Sequence, residues 1–373
     1  MTPFLLLALA AFAPQDTVER TLQQRLDAYR TATGVPGAVL GVAFPDGRVI
    51  AVASGMADTA MHAAMRPDSR LLMGSVGKSY VAAVAMQLVR EGTLSLDAPV
   101  SRYVGGQGWW DSVANAPTIT VRQLMNHTSG LVRYEFRPEF TAALTANPDK
   151  VWDPREQVRY LHGATPPFAP GAGWDYSDTN YLVLALVLER ITGRPIDDEI
   201  RRRFLVPMQL ANSIPSDTRR LPGVVQGYAG AQNPFGGRDA MLDGGVMIVN
   251  PQFEGAGGGY AASASDAARW GAAYFSGAIH GDSLLAQATA GTPARMLGAG
   301  TSYGLGMILR DSTAAGAVRG HSGFFPGYLT ELRHYPASKV TVVLMVNASA
   351  VRMRPPMARW VDELVAAIAP PPK

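Results

Sequence analysis

The sequence predicts an α/β protein of the α+β kind: an antiparallel β-sheet flanked by helices from the two ends of the chain, with a helical insertion between the halves of the sheet. Three observations predict it. Strand-like runs cluster at both ends of the 373-residue chain, segments of helical periodicity lie outside them, and the middle, roughly 80 to 270, is dominated by helical patterns. With 47% hydrophobic residues the chain can bury a sizeable core, as one large domain or two smaller ones.

The elements follow in order. Phe4 to Ala13 is a short apolar run ending in small residues, followed at once by polar Gln15-Asp16-Thr17. It resembles a secretory signal and is too short to span a bilayer, so residues 1–13 are expected to be a signal peptide and the mature protein periplasmic or secreted. Val18, Leu22, Leu26 and Tyr29 then form one apolar helical face, stopped by Gly34. Ala38–Phe44 and Arg48–Ser54 read as two strands of a hairpin turning at Asp46-Gly47. Helices are expected over Ser79–Arg90, Thr120–Asn126, Asn180–Thr192 and Asp266–Phe275, and the Gly- and Pro-rich stretch from Pro222 to Gly259 reads as long surface loops. Runs rich in β-branched and aromatic residues, Tyr303–Arg310, Val318–Gly323, Tyr328–Tyr335 and Val340–Asn347, read as further strands, and Pro356–Ala369 as a closing helix beside the first. The expected organisation is a sheet domain from 14–79 and 260–373, a mainly helical domain from 80–259, and an active site between them.

Composition excludes several functions. Net charge is only +3 and the basic residues are scattered, so nucleic acid is not an expected partner. There are no cysteines, which excludes disulfides, a lipid-anchored cysteine and thiolate metal sites; the six histidines show no H-E-x-x-H spacing. No metal, cofactor or stable membrane span is expected, and the partner is a small-molecule or peptide substrate.

Met73-Gly-Ser75-Val-Gly-Lys78 runs from a glycine into a strongly helical stretch. Three residues apart on a helix, Ser75 and Lys78 share a face, so the amine can reach the hydroxyl and take its proton. The chain has only four lysines, Lys78, Lys150, Lys339 and Lys373, and uses arginine elsewhere. Lysine can lose its proton when desolvated and guanidinium cannot, so a base here must be lysine. The plainer reading is Ser75 as a helix cap with Lys78 on a solvated face. In Trp174-Asp-Tyr176-Ser177-Asp178-Thr-Asn180, Tyr176 stands at a helix start, where its phenol can exchange protons if nearby cations lower its pKa. A capping turn built from Ser177, Asp178 or Asn180 is the alternative. In Arg319-Gly-His321-Ser322-Gly323-Phe324, strand alternation puts Arg319, His321 and Gly323 on one face, with the glycine leaving room for substrate; a bystander histidine is the alternative.

Taken in order, S-x-x-K, Y-x-(N/D) and (K/H)-x-G resemble the group containing class C β-lactamases, serine D-Ala-D-Ala carboxypeptidases, D-aminopeptidases and family VIII carboxylesterases. Gly92–Tyr103, Ile119–Leu131 and Tyr303–Gly306 are similar to its framework sequences, so the resemblance covers roughly 35 to 350. It implies the β-lactamase/transpeptidase-like fold and a serine hydrolase acting on D-peptide amides, esters or β-lactam-like amides through an acyl-enzyme on Ser75. It further implies Lys78 as base, Tyr176 as proton relay, and the amides of Ser75 and Phe324 as oxyanion hole. His321 stands where the β-lactamases carry lysine, and would shape the field around Tyr176 and help seat the substrate. Asp178 departs from the group's usual asparagine: a carboxylate accepts but does not donate, so it would hold Lys78 or favour a substrate ammonium. Phe324-Phe325 suggests an apolar acyl pocket, and Arg319 is a candidate for a substrate carboxylate. His127-Thr-Ser129-Gly130 is framework in this group, and Ser129 is not assigned as nucleophile. The alternative function is a catalytically silent relative that binds cell-wall fragments or serves as a scaffold.

Overall fold

The computed structural model describes residues 15–231 and 233–369; the signal peptide expected at 1–13 lies outside the described residues. The first helix, α1 (Gln15–Thr33), turns Leu22, Leu26 and Tyr29 inward, all three buried, and stops before Gly34 as the periodicity predicts. It is followed by the hairpin β1 (Gly37–Ala43) and β2 (Val49–Asp58). In the helical part the two elements that matter for the site are α2 (Lys78–Arg90) and α3 (Thr179–Thr192). After them come α4 (Ala264–Ser276), the strands β3 (Thr301–Tyr303), β4 (Ile308–Arg310), β5 (Val318–Phe325), β6 (Tyr328–Tyr335) and β7 (Val340–Val346), and finally α5 (Met357–Ile368).

These strands form one antiparallel sheet in the order β2-β1-β7-β6-β5-β4-β3, extended at its two edges by Ala63–Ala64 and Thr292–Pro293. The two chain ends therefore meet in the middle of the sheet, where β1 pairs with β7 and every residue of both strands is buried. Burial on both faces explains why these two runs are continuously apolar instead of alternating. One face is covered by α1 and α5, which touch each other through Tyr29 and Trp360, ring centroids 4.7 Å apart. The other face is covered by α4, which packs along β1, β7 and β6 and buries Ala267, Ala268 and Phe275, while its Trp270 turns to Tyr80 and Ser79 of α2.

Behind the site, α3 is buried from Thr179 to Leu188 without a polar face. Such a helix is held by packing rather than propensity, and each fully buried leucine among Leu182, Leu184, Leu186 and Leu188 contributes about 1.5–3 kcal/mol of transfer free energy. Its first turn carries Asp178 and Asn180 to the site. Among the described residues no helix is long and apolar enough to cross a membrane.

Two expectations are corrected. Tyr303–Arg310 is not one strand but the hairpin β3–β4, because a tight turn closes with the Gly304 amide donating to the Met307 carbonyl at 2.8 Å. Nor is Pro222–Gly259 a surface loop throughout. Met241, Met247, Val249 and Phe253 anchor it in the core, and its Pro251–Gly257 segment, a 3₁₀ stretch, packs against α3 and the turn that bears Ser75.

Candidate active site

Ser75 lies in a 3₁₀ turn, Gly74–Gly77, that leads directly into α2. The turn is wedged against the sheet: a Cβ on Gly74, whose φ is +51°, would fall 2.4 Å from the Phe324 carbonyl oxygen, and one on Gly323 would fall 1.8 Å from the Met73 carbonyl oxygen. Only hydrogen fits at either position, and the absence of both side chains is what brings the Ser75 turn onto the backbone of β5.

Lys78 is fully buried, and its ammonium donates to Ser75 Oγ at 3.1 Å, to the Asp178 carboxylate and to the Gly257 carbonyl. Three donors meet three acceptors, so the ammonium is saturated. Burial pulls Lys78 toward neutrality, but the Asp178 carboxylate and then Tyr176 outweigh it and hold its pKa above the ordinary lysine value. Burial likewise works against ionised Asp178, yet the Lys78 charge, a hydrogen bond with Glu135 and the Arg133 guanidinium hold it below the usual carboxylate range. Asp178 does not cap α3 through its side chain. Both its oxygens are engaged, one by Lys78 and one by Arg133 Nη2 at 3.3 Å.

The Tyr176 ring packs over the Lys78 ammonium, 4.9 Å from Nζ to centroid, with Arg133 at 5.5 Å. Its hydroxyl is buried and makes no well-formed hydrogen bond, though it faces Lys78 and Ser75 closely enough for both to act on its acidity. The expectation that cations lower this phenol is corrected: burial is the larger influence, and Tyr176 stands above its ordinary value. His127 stacks beneath Tyr176 at 4.3 Å, and its Nδ1 accepts from the Ser177 amide at 3.3 Å and from Asn180 Nδ2 at 3.1 Å. Ser129 Oγ is buried and donates to Asn180 Oδ1 at 2.5 Å. His127 and Ser129 thus brace the turn that carries Tyr176.

His321 Nδ1 bonds the Ser322 carbonyl at 2.7 Å, which assigns the proton to that nitrogen and leaves Nε2 to accept from the Tyr303 hydroxyl at 2.8 Å. Burial first and the Lys78 charge second push this imidazole down to about 3. It is neutral, so it shapes the site by hydrogen bonding and contact and not, as expected from its alignment with a lysine, by charge. Arg319 is the other correction. It shares its strand face with His321 but sits two residues earlier on β5, where its guanidinium donates to the Phe275 carbonyl at 3.1 Å, outside the cavity that Ser75 opens into.

That cavity has a volume of about 850 Å³ and is lined by Ser75, Tyr176, Asp178, His321, Gly323 and Phe324 among the residues singled out in the sequence. The structure adds charged residues that the motifs did not reveal. Arg133 bridges Asp178 and Glu135, donating from Nε to Glu135 Oε1 at 2.6 Å. Burial and then the Asp178 charge push Glu135 well above the carboxylate range, so it is the protonated member that shares its proton with Asp178. Glu254 is raised to about 8 by burial and by Asp178, with Lys78 and Arg133 opposing. The only sequence signal for Arg133 and Glu135 is their place four and six residues after Ser129 in the loop that follows the His127 segment; Glu254 had none. Phe136, Phe235, Phe253, Met296 and Phe324 make the rest of the cavity strongly apolar.

The site thus holds a hydroxyl against a buried amine, a phenol facing both, and a backbone strand close enough to receive an extended substrate. The chain is similar to several known proteins. Penicillin-binding protein 4 of Amycolatopsis lactamdurans is 29% identical over 340 residues, covering 87% of this chain and 84% of that protein. The D-aminopeptidase of Cereibacter sphaeroides is 27% identical over 336 residues, 88% of this chain, which spans 60% of that relative's length. The solved structure of a D-stereospecific amidohydrolase from a Streptomyces species superimposes with a TM-score of 0.77 at 27% identity, covering 91% of this chain and 96% of that one. The sequence model of the beta-lactamase family matches residues 18–366, and the chain belongs to that family.

Proposed function

We propose that the protein is a serine hydrolase that acts on D-peptide amides or esters through an acyl-enzyme on Ser75. The observation that carries this reading is the Ser75 Oγ to Lys78 Nζ contact of 3.1 Å beside a large cavity. In the acylation step the Lys78/Tyr176 pair, having first released one proton to solvent, takes the proton of Ser75 Oγ as Oγ bonds to the substrate carbonyl carbon. The carbonyl oxygen gathers negative charge between the amides of Ser75 and Phe324. Collapse breaks the C–N or C–O bond, and the leaving group takes the proton by way of Tyr176. Water then attacks the ester, losing its proton to the same pair, and Ser75 Oγ leaves with a proton restored. The relatives named D-aminopeptidase and D-stereospecific amidohydrolase support the amide reading. Efficient β-lactam turnover is not part of the proposal, because Asp178 offers no amide donor to a β-lactam side chain.

One observation favours a silent, cell-wall-fragment-binding relative: resting Lys78 is held as an ammonium. Intact mass separates the readings. Wild type and Ser75→Ala are quenched seconds after mixing with p-nitrophenyl butyrate or benzylpenicillin, and an acyl adduct on wild type alone is expected with the ester. No adduct and no turnover of either reagent would move the silent reading ahead. Export to the periplasm or medium is proposed on the Phe4–Ala13 run, and the N-terminal sequence of the exported protein tests it.

A further inference from the structure

We infer that Tyr303 is a positioning residue of the reaction: it fixes the His321 imidazole in one orientation and one tautomer, so that neither ring nitrogen competes with Lys78 and Tyr176 for the proton of Ser75. The inference rests on the serine hydrolase reading and deepens it. Tyr303 opens the segment Tyr303-Gly-Leu-Gly306 at the turn between β3 and β4. It is fully buried and is not among the residues lining the cavity, so any part it plays runs through another side chain. That side chain is His321, which does line the cavity and whose ring stands 6.3 Å from that of Tyr176. The Tyr303 hydroxyl donates to His321 Nε2 at 2.8 Å, while Nδ1 donates to the Ser322 carbonyl at 2.7 Å. A neutral imidazole has one donor and one acceptor, and here both are spent. No lone pair of the ring is left to take the proton of Ser75.

The turn is anchored on every side. A Cβ on Gly306 would fall 2.5 Å from Ala82 Cβ of α2, and one on Gly304 would collide with the Ala288 carbonyl oxygen, so the chain lies this close only because both positions lack side chains. Between them the Leu305 carbonyl accepts from the Tyr274 hydroxyl of α4 at 2.7 Å. The Gly306 amide donates to the Met125 carbonyl at 3.3 Å, which also accepts from Tyr181 of α3 at 3.0 Å. Met125 stands two residues before His127, and the Tyr303 ring meets His127 edge to face at 4.6 Å and Tyr176 at 6.0 Å. One turn therefore sets both flanks of Tyr176, His127 by ring contact and His321 by a hydrogen bond. The charged groups that face the His321 ring are Lys78 of α2 and Asp178 ahead of α3, with Tyr176, Tyr303 and His127 around it. Without the Tyr303 hydroxyl a buried Nε2 loses its donor, and the ring must turn, exchange tautomers or keep that nitrogen unpaired.

Tyr303→Phe deletes the oxygen and keeps the ring. Its kcat/KM for p-nitrophenyl butyrate is expected to fall by about tenfold or more. In a His321→Ala background the same change is expected to cost less than about twofold, because the residue through which it acts is gone. A loss equal in both backgrounds, or none in either, overturns the proposal. Nitrogen NMR of protein with isotope-labelled histidines, the His321 signals assigned from His321→Ala, reads the tautomer directly. Wild type is expected to show Nδ1 protonated and Nε2 unprotonated at neutral pH, and Tyr303→Phe to show a displaced Nε2 signal. The other tautomer in wild type overturns the proposal whatever the stability of the variant, and so does an Nε2 signal that the variant leaves in place. Labelling of Ser75 by a fluorophosphonate is measured alongside. Labelling of all the proteins with no difference between the two backgrounds leaves the hydrolase reading standing and removes this one; no labelling and no turnover by wild type removes both.

Discussion

Replacing Asp178 by the asparagine usual in the family tests what controls the base. In the wild-type site the carboxylate touches the Lys78 ammonium directly, and Lys78 is wholly buried, so the attraction is little screened. Two unit charges about 4 Å apart at an effective dielectric of about 20 attract by about 4 kcal/mol. In Asp178→Asn the amide oxygen still accepts from Lys78, which recovers part of this, while Arg133 keeps its positive charge and loses a partner. With about 1.4 kcal/mol per pH unit, the acid limb of kcat/KM should move down by about two to three pH units. Wild type should gain rate steadily from pH 6 into the alkaline range, and the variant should level off earlier and acylate about 100-fold faster at pH 7.5. The sign for stability is opposite. A lysine whose folded pKa is raised contributes stability that is fully present below the ordinary lysine value and fades as pH rises through the folded one. The variant should therefore be less stable than wild type at pH 7 by about 3 kcal/mol, with the gap closing at alkaline pH. Stopped-flow acylation by p-nitrophenyl butyrate from pH 5.5 to 10.5, with urea unfolding at the same pH values, reads both. Profiles of wild type and variant that inflect at the same pH would refute the argument that Asp178 holds the base protonated.

Other outcomes follow from the same geometry. Lys78→Arg keeps the positive charge beside Asp178 but cannot release a proton, so acylation should fall by about a thousandfold or more while Ser75 stays in place; a rate within tenfold of wild type would rule Lys78 out as base. Acid should destabilise the fold through its buried histidines: burial pushes His321 to about 3 and His280 and His334 to about 4, all below their ordinary value. The stability these neutral rings give is fully present above pH 6.5 and is lost as pH falls toward 4, up to about 2 kcal/mol each at pH 5. Thermal unfolding should show Tm flat between pH 7 and 8 and falling below 6.5, and equal Tm at pH 5 and 7.5 would contradict the assignment.

What was legible in the sequence was local. Tyr328–Tyr335 is read to the residue because turns bound it on both sides, and the Ser75–Lys78 pairing is a matter of three-residue spacing at the start of one helix. What was not legible depends on groups distant in the chain. The acidity of Tyr176 is decided by burial, which depends on His127, Tyr303 and the rest of the packed shell, so reading its neighbours' charges alone gives the wrong sign. Alternation correctly pairs Arg319 with His321 on one face of β5, but only the tertiary structure reveals that its end of the strand faces the last turn of α4. The Pro222–Gly259 stretch reads as loop by composition, since the few apolar anchors that pin it, Met241, Met247 and Phe253, carry no period.

The substitution of a carboxylate for the family's asparagine at position 178 is best understood with its neighbours. A bare Asp178 beside Lys78 would give one carboxylate two tasks, neutralising the base and keeping its second oxygen satisfied in a buried setting. Arg133 performs the second, and its aromatic contacts, 4.1 Å from the Phe136 centroid and 5.5 Å from that of Tyr176, orient the guanidinium for it. Arg133 leaves the cluster with two cations and one anion, and the protonated Glu135 accepts from the guanidinium without cancelling that excess. Asp178, Arg133 and Glu135 therefore act as one unit, and changing Arg133 should disturb Lys78 even though the two never touch. Glu254 lies beyond this unit, with its carboxyl raised instead of neutralised. With Glu135 and Glu254 both raised, Lys78 and Arg133 face Asp178 as their ionised partner, and the cluster keeps an excess of positive charge at the wall of the cavity.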